Sequence, residues 1–135
     1  MPELTYFDVV QDDVQVLQTN DSSGHTPEVH QISALVTFTP SITEIQSSAL
    51  DATILLRPIQ GRIVSGELCA IDGTIGIELV ANTEVLGTLP KPLTYRVDYS
   101  KVVFDGAERS MKSFAFQALT GPGTVNLNTV ERLAI

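Results

Sequence analysis

The sequence is poor in several residue types that often carry chemistry. It has no tryptophan, a single cysteine (Cys69) and only two histidines (His25 and His30). One cysteine cannot form an internal disulfide, which fits a protein made in a reducing cytoplasm. The aromatic residues are too few to suggest a sugar-binding platform, and the apolar runs are far shorter than a bilayer span.

Positive charge is scarce as well. Eight Lys and Arg residues stand against sixteen Asp and Glu residues, which gives a net charge of −8. Such a surface repels phosphate backbones and anionic lipids, so we expect neither nucleic acid nor a membrane as a partner. The first residues lack the basic and apolar regions of a secretory signal, and synthesis in the cytoplasm is therefore expected.

The motifs of metal sites and enzymes are incomplete. His25 and His30 would need a helix and further ligands to hold a metal, but His25 ends a Gly- and Ser-containing stretch that is typical of a loop, and a proline lies between the two histidines. The acidic residues near the N-terminus lack the order and the glycine of a calcium loop; they are Asp8, Asp12, Asp13 and Asp21.

Signatures of nucleophilic and phosphate chemistry are incomplete too. The G-x-S-x-G motif of a nucleophile elbow does not occur, and the segment 121–123 lacks the Lys and Ser/Thr of a phosphate loop. Cys69 lies in an apolar strand pattern and is expected to be a buried, inert thiol. We therefore expect no enzyme, and no catalytic, cofactor-binding or metal-binding residues.

Alternation of apolar and polar residues is clearest in segment 93–119. Its first run places Leu93, Tyr95, Val97 and Tyr99 on one face, the period of a half-buried strand. In the second run, two sets of residues alternate along the strand. One set is Phe114, Phe116 and Ala118, and the other is Ser113, Ala115 and Gln117. With the Asp105–Gly106 turn signal between the runs, we predict that these strands are central.

The remaining segments are short and broken by turn residues. Strands are predicted at 4–10, 14–17, 32–39, 53–64 with an interruption near Pro58, 67–71 and 75–80. Segment 19–27 is predicted to be an exposed loop and 41–51 an irregular connection. Segment 124–133 is predicted to end in a helical turn capped by Asn128, with a final short strand as the alternative.

About eight short strands in 135 residues predict one all-β domain, 1–135. The architecture is expected to be an antiparallel β-sandwich or a flattened barrel, although the sequence does not order the strands. Segment 1–18 is expected to form either an extended arm, able to add a strand to a neighbouring subunit, or edge strands of the same domain.

Three phrases carry a family resemblance: ISALVTFTP at 32–40, RPIQGRIVSGELCAIDGTIGIELVANTEVL at 57–86 and LTYRVDYSKVVFDGAERSMKSFAFQAL at 93–119. Together with the opening MPELTYF, the chain resembles the small β domain of virion structural proteins of tailed phages that infect mycobacteria and related actinobacteria. The resemblance covers nearly the whole chain and consists of hydrophobic pattern and turn residues.

The resemblance implies a non-catalytic virion component. Such domains are usually assigned to minor tail proteins, often with further C-terminal domains, and an accessory tail protein is the main expectation. Because this sequence ends directly after the β domain, a capsid decoration protein on the head is an alternative, and a carbohydrate-binding module contacting the host envelope is another. The expected partners are other virion subunits, with homo-oligomers in the particle, and the expected location is the virion.

Overall fold

The chain folds into β-strands that pack in layers. The computed structural model describes residues 3–18, 28–87, 92–104 and 107–135. Within these ranges the regular elements are thirteen strands and one short 3₁₀ turn, Glu84–Leu86. The strands are β1 Tyr6–Val10, β2 Gln15–Gln18, β3 Glu28–Gln31, β4 Ser33–Pro40, β5 Glu44–Ser47, β6 Ala52–Leu55, β7 Ile59–Val64, β8 Glu67–Ala70, β9 Ile77–Val80, β10 Thr94–Phe104, β11 Ala107–Arg109, β12 Phe114–Gln117 and β13 Thr124–Asn126.

The larger sheet has six strands and is built around β10. Its order is β11-β10-β4-β7-β8, and β12 pairs with the first half of β10 on the side away from β4. The predicted central position therefore holds for β10, which has partners on both sides, and is wrong for β12, which pairs with β10 alone among the described strands and lies at the edge of the sheet. A bulge bends β10, because it advances three residues from Ser100 to Val103 while β4 advances two, from Leu35 to Ser33.

The smaller sheet has three strands in the order β13-β1-β9. β1 runs antiparallel to β9 and parallel to β13, the one parallel pair among the described strands. Because β1 has partners on both sides and buries Phe7 and Val9, it is neither a free arm nor an edge strand. This part of the expectation for segment 1–18 is wrong. Among the described strands, β2 pairs only with β3, as an edge strand does.

The two sheets face each other across an aromatic cluster. Phe7 on β1 contacts Tyr95 on β10 and Phe116 on β12, edge to face, with ring centroids 6.1 and 6.3 Å apart. Tyr95 and Phe116 stack at 6.0 Å. Pairs in these geometries add to the free energy gained by burial. The predicted all-β sandwich is confirmed, with this cluster in the core between its layers.

Segment 41–51 was expected to be irregular, but it contains β5 and the turn that leads into β6, with which β5 pairs. Ser47 is buried although it is polar, and its hydroxyl donates to the carbonyl of Val85, which offsets the cost of burying it. A serine-rich stretch therefore forms a strand.

The C-terminal segment follows the alternative prediction. Instead of a helical turn, segment 124–133 forms the short strand β13 and then a turn. The Asn128 side chain does not cap a helix; it donates to the carbonyl of Asp12 at 2.7 Å. This contact fixes the turn after β13 to the loop after β1.

The alternation in β12 is incomplete. Phe114, Phe116 and Ala118 are buried and Gln117 is exposed, as predicted, but Ala115 is buried as well. Ala115 pairs through its backbone with Leu133 on one side and lies opposite Arg96 of β10 on the other. Cross-strand neighbours cover each other's side chains, so a small residue here loses its exposure.

Candidate interaction surface

Four large apolar side chains are exposed on neighbouring parts of the surface. They belong to β1, β6, β7 and the loop before β9, and we call them the docking face: Tyr6, 49% exposed, Leu55, 57%, Ile59, 38%, and Ile75, 66%. Single exposed apolar residues are ordinary, whereas a contiguous group marks an interaction site more often.

An apolar groove joins the first three of these residues. Its volume is about 270 Å³, and it runs between the segment linking β6 to β7 and the strands β1 and β9. Its lining residues are Leu4, Tyr6, Pro40, Ile54, Leu55, Leu56, Arg57, Ile59, Val80 and Tyr95. Arg57 is the single charged residue among them, so the groove offers mainly apolar area to a partner.

The groove is bordered by strands that lack a second partner. Among the described strands, β6 pairs only with β5, and β9 pairs only with β1. A strand with one free side presents unpaired backbone groups, to which an extended segment of another chain can add. The docking face therefore combines apolar side chains with residues of strands that have one partner each.

Tyr95 forms the inner wall of this groove. Its hydroxyl donates a hydrogen bond to the carbonyl of Val80 on β9, at 2.9 Å, and ties the larger sheet to the smaller one. Burial raises the pKa of Tyr95 to about 12, because the phenolate would lose its hydration there. The tyrosine therefore stays neutral at physiological pH and acts as a structural link.

A second, acidic pocket adjoins the groove and shares Ile59 with it. We call it the acidic pocket; its volume is about 520 Å³ and its lining includes Ile59, Ile75, Ile77, Asp8, Asp72 and Glu78. No Lys or Arg lines it. The Asp72 carboxylate accepts a hydrogen bond from the backbone N–H of Thr74 at 2.9 Å, which lowers the pKa of Asp72 and keeps it ionised. An apolar floor with an acidic rim suits a basic partner.

A buried polar network lies at the other end of β1. Gln11 is only 3% exposed; its side-chain oxygen accepts from the Tyr99 hydroxyl at 2.8 Å, and its amide donates to Asn128 at 3.1 Å. Burial raises the pKa of Tyr99. Each polar atom of this group has a partner, as buried polar groups generally do. The network connects β1, β10 and the turn after β13, and it does not open onto the docking face.

The residues considered for metal binding lie only partly within the described residues. His25 and Asp21 lie outside the described residues. His30 lies in β3, and the structure describes only the backbone of this residue. In the described part of the chain, no group of three or more His, Cys, Asp or Glu side chains could hold a metal ion. Cys69 is buried, as expected, with its thiol 3.5 Å from the carbonyl of Glu67.

Sequence reasoning did not find the docking face. Ile59, Ile75 and Tyr6 lie in stretches that alternate or run apolar, which predicts burial. Their exposure depends on which strands end the sheets, and a single sequence does not order strands. Pro58, where the sequence predicted an interruption of the strand, was the one local signal next to this face.

Comparisons with known proteins leave the family open: no protein-family model, no curated protein and no solved structure matches the chain. In the described ranges, no helix has the length and apolar character needed to cross a membrane.

Proposed function

We propose that the protein is a non-catalytic structural component of a tailed-phage virion, an accessory tail protein that attaches to neighbouring subunits through the docking face. The observation that carries this proposal is the apolar face itself. Tyr6, Leu55, Ile59 and Ile75 are exposed, whereas most of the apolar side chains that the structure describes are buried. The sequence resemblance to virion β domains supplies the kind of particle.

The chemistry of the face supports a protein partner. The groove is apolar and is lined in part by residues of β6 and β9, two strands with one partner each among the described strands, so it matches an extended segment that inserts apolar side chains. The net charge of −8 disfavours nucleic acid, because a phosphate backbone binds to clustered Lys and Arg. This repulsion between the acidic protein and a phosphate backbone does not oppose binding of a protein subunit to the apolar face.

A carbohydrate-binding role has weaker support. Such a site needs aromatic rings that are accessible to a sugar. Phe7, Phe38, Tyr95, Phe114 and Phe116 are buried, and Tyr6 is the one largely exposed ring among the aromatic side chains that the structure describes. A single ring in a narrow apolar groove does not make a platform for a polar sugar.

The location in the particle is testable directly. We expect mass spectrometry of purified virions to detect the protein, and antibody labelling in electron micrographs to place it on the tail at low copy number. Uniform labelling of the head at high copy number would instead establish the capsid decoration alternative. Absence of the protein from purified virions would overturn both structural roles.

A further inference from the structure

The strand β6 presents most of its residues to solvent. Ala52, on one face of the strand, and Thr53 and Leu55, on the other face, are exposed, and Ile54 is half-buried. Leu55, 57% exposed, is the most exposed large apolar side chain in any strand that the structure describes. The one pairing partner of β6 among these strands is β5.

The register of the β5–β6 hairpin determines which backbone groups of β6 point away from β5. The backbone N–H of Leu56 donates to the carbonyl of Thr43, the next position along the register, at 2.9 Å. Hydrogen-bonded and non-hydrogen-bonded pairs alternate in an antiparallel ladder, so Ile54 bonds to β5 while Thr53 and Leu55 point their N–H and C=O groups outward. Within the described ranges, no backbone hydrogen bond reaches these outward groups.

Opposite charges lie at the two ends of β6. Asp51 and Arg57 are exposed, and each is three positions from Ile54 along the chain. In the described part of the chain, the one ion pair joins Arg96 and Asp98, so neither Asp51 nor Arg57 is in an ion pair there. If a second copy of β6 lies antiparallel with the two Ile54 residues opposite each other, each Asp51 lies opposite Arg57 of the other copy. In this register the ends of β6 are self-complementary in charge.

The same register also pairs the outward backbone groups and covers the exposed leucine. It places Thr53 opposite Leu55 of the other copy, so each of the two Thr53–Leu55 pairs exchanges both of its hydrogen bonds. The two Leu55 side chains become diagonal neighbours on one face, within reach of each other. A register shifted by two residues keeps the backbone pairing but places Asp51 opposite Leu55 or Ile59, and the charge pairing is lost.

We propose that two copies of this chain form a symmetric dimer through antiparallel pairing of their β6 strands. The two β5–β6 hairpins then join into one four-stranded sheet, with the two-fold axis between the Ile54 residues. The contact is isologous, because the same edge serves both copies, and it therefore closes at two chains. Pro58 has no N–H group, so the ladder between the copies ends at Arg57.

The remaining charge of the hairpin opposes this dimer only weakly. Within segment 43–58 the third charged residue is Glu44, which is exposed on β5 opposite Leu55, so each hairpin carries one excess negative charge. The two Glu44 residues are three inter-strand steps apart in the joined sheet, roughly 14 Å at the usual strand spacing. Charges at that separation are screened at physiological ionic strength, where the Debye length is about 8 Å. The contacting charges of Asp51 and Arg57 lie inside that length.

Charge reversal at the two ends of β6 tests the pairing. Sedimentation velocity of the full chain over a range of concentrations, at physiological ionic strength, gives the dissociation constant of the dimer. Asp51→Arg places arginine opposite arginine at both ends, and Arg57→Asp places aspartate opposite aspartate. Each variant is expected to dimerise roughly tenfold more weakly or worse, because two attractive pairs become repulsive. A 1:1 mixture of the two variants should form a heterodimer, since the arginines of one chain then face the aspartates of the other.

Matched controls separate the pairing from the change in net charge. Asp13→Arg changes the net charge as Asp51→Arg does, and both aspartates are exposed with a φ of 51°, so the new side chain meets the same left-handed backbone at each position. Lys112→Asp, at an exposed position beside β12, matches Arg57→Asp. Both controls should dimerise like the wild type. Circular dichroism verifies that each variant is folded.

Hydrogen exchange followed by NMR measures the same edge without a substitution. As the protein concentration rises, the N–H groups of Thr53 and Leu55 should exchange more slowly, whereas that of Ile54, already bonded to β5, should change less. A monomeric wild-type chain, Asp51→Arg and Arg57→Asp chains that dimerise like the wild type, a mixture of the two that stays monomeric, or unchanged exchange at Thr53 and Leu55 would each overturn the proposal. The result is separate from the proposed function, because a chain that is monomeric in solution can still be found in virions.

Discussion

At the scale of residues, the core positions behave differently from their neighbours on the same strand. Phe116 is fully buried between the sheets, whereas Gln117 is exposed on the other face of β12. Replacing Phe116 by alanine leaves a cavity and is expected to cost about 3–5 kcal/mol of unfolding free energy. Gln117→Ala should change it by no more than about 0.5 kcal/mol. Equal losses in denaturant melts would show that this face assignment is wrong.

Tyr95 makes the free energy of unfolding depend on pH in the alkaline range. Its pKa is raised from 10.0 to about 12 by burial. Below pH 10 the residue is neutral in both states, but between these values the unfolded chain ionises and the folded one does not, so the unfolding free energy falls as the pH rises. The loss attributable to this residue is at most about 3 kcal/mol, since one pKa unit corresponds to about 1.4 kcal/mol.

The comparison of Tyr95→Phe with the wild type isolates this contribution. We expect denaturant melts of the variant to lose less stability between about pH 9 and about pH 12. The variant keeps Tyr99, whose pKa is also raised. A smaller loss of unfolding free energy at alkaline pH therefore remains in the variant. Identical losses in the two proteins would contradict the role given to the buried phenol.

At the scale of elements, one glycine governs how the smaller sheet lies on the larger one. Gly61 is on β7, and a Cβ there would lie 2.7 Å from Cδ1 of Ile77 on β9 and 2.8 Å from the carbonyl oxygen of Cys69 on β8. These distances are too short for a methyl group. Only glycine therefore allows β9 to pack this closely over the β7–β8 hairpin.

Gly61→Ala should accordingly destabilise the fold by about 1–3 kcal/mol, the range for overpacking a core. The matched control is Gly121→Ala, because nothing lies within 4 Å of a Cβ at that position. The control should leave the unfolding free energy unchanged or raise it slightly through the entropy of the unfolded chain. Equal stabilities of the two variants would show that β9 does not depend on this close approach.

The alternation pattern predicted the strands that carry large apolar residues and missed a short strand that does not. Alternation located β4, β10 and β12, because large apolar residues such as Phe38 and Val97 recur there with period two. It missed β5, where the buried residue is a serine, and it did not reveal the pairing of β1 with β13, which are more than a hundred residues apart. Pairings of that range depend on tertiary packing, which local patterns do not encode.

At the scale of the whole molecule, an all-β domain was predictable while its interaction surface was not. Burial of Cys69 followed from its apolar surroundings. Exposure of Leu55, Ile59 and Ile75 instead follows from their places beside strands with one partner, and strand order was not legible in the sequence. The docking face is therefore a property of the assembled sheets rather than of any one segment.

The central claim is that this face attaches the protein to a virion, and particle incorporation tests it most directly. Leu55→Glu places a charge on the docking face, and Val64→Glu places the same charge on an exposed apolar residue outside it. The number of copies per purified particle would be measured for both variants and the wild type by quantitative mass spectrometry. The account predicts that Leu55→Glu is depleted from particles while Val64→Glu is incorporated like the wild type. Incorporation of both variants at the wild-type level would contradict it.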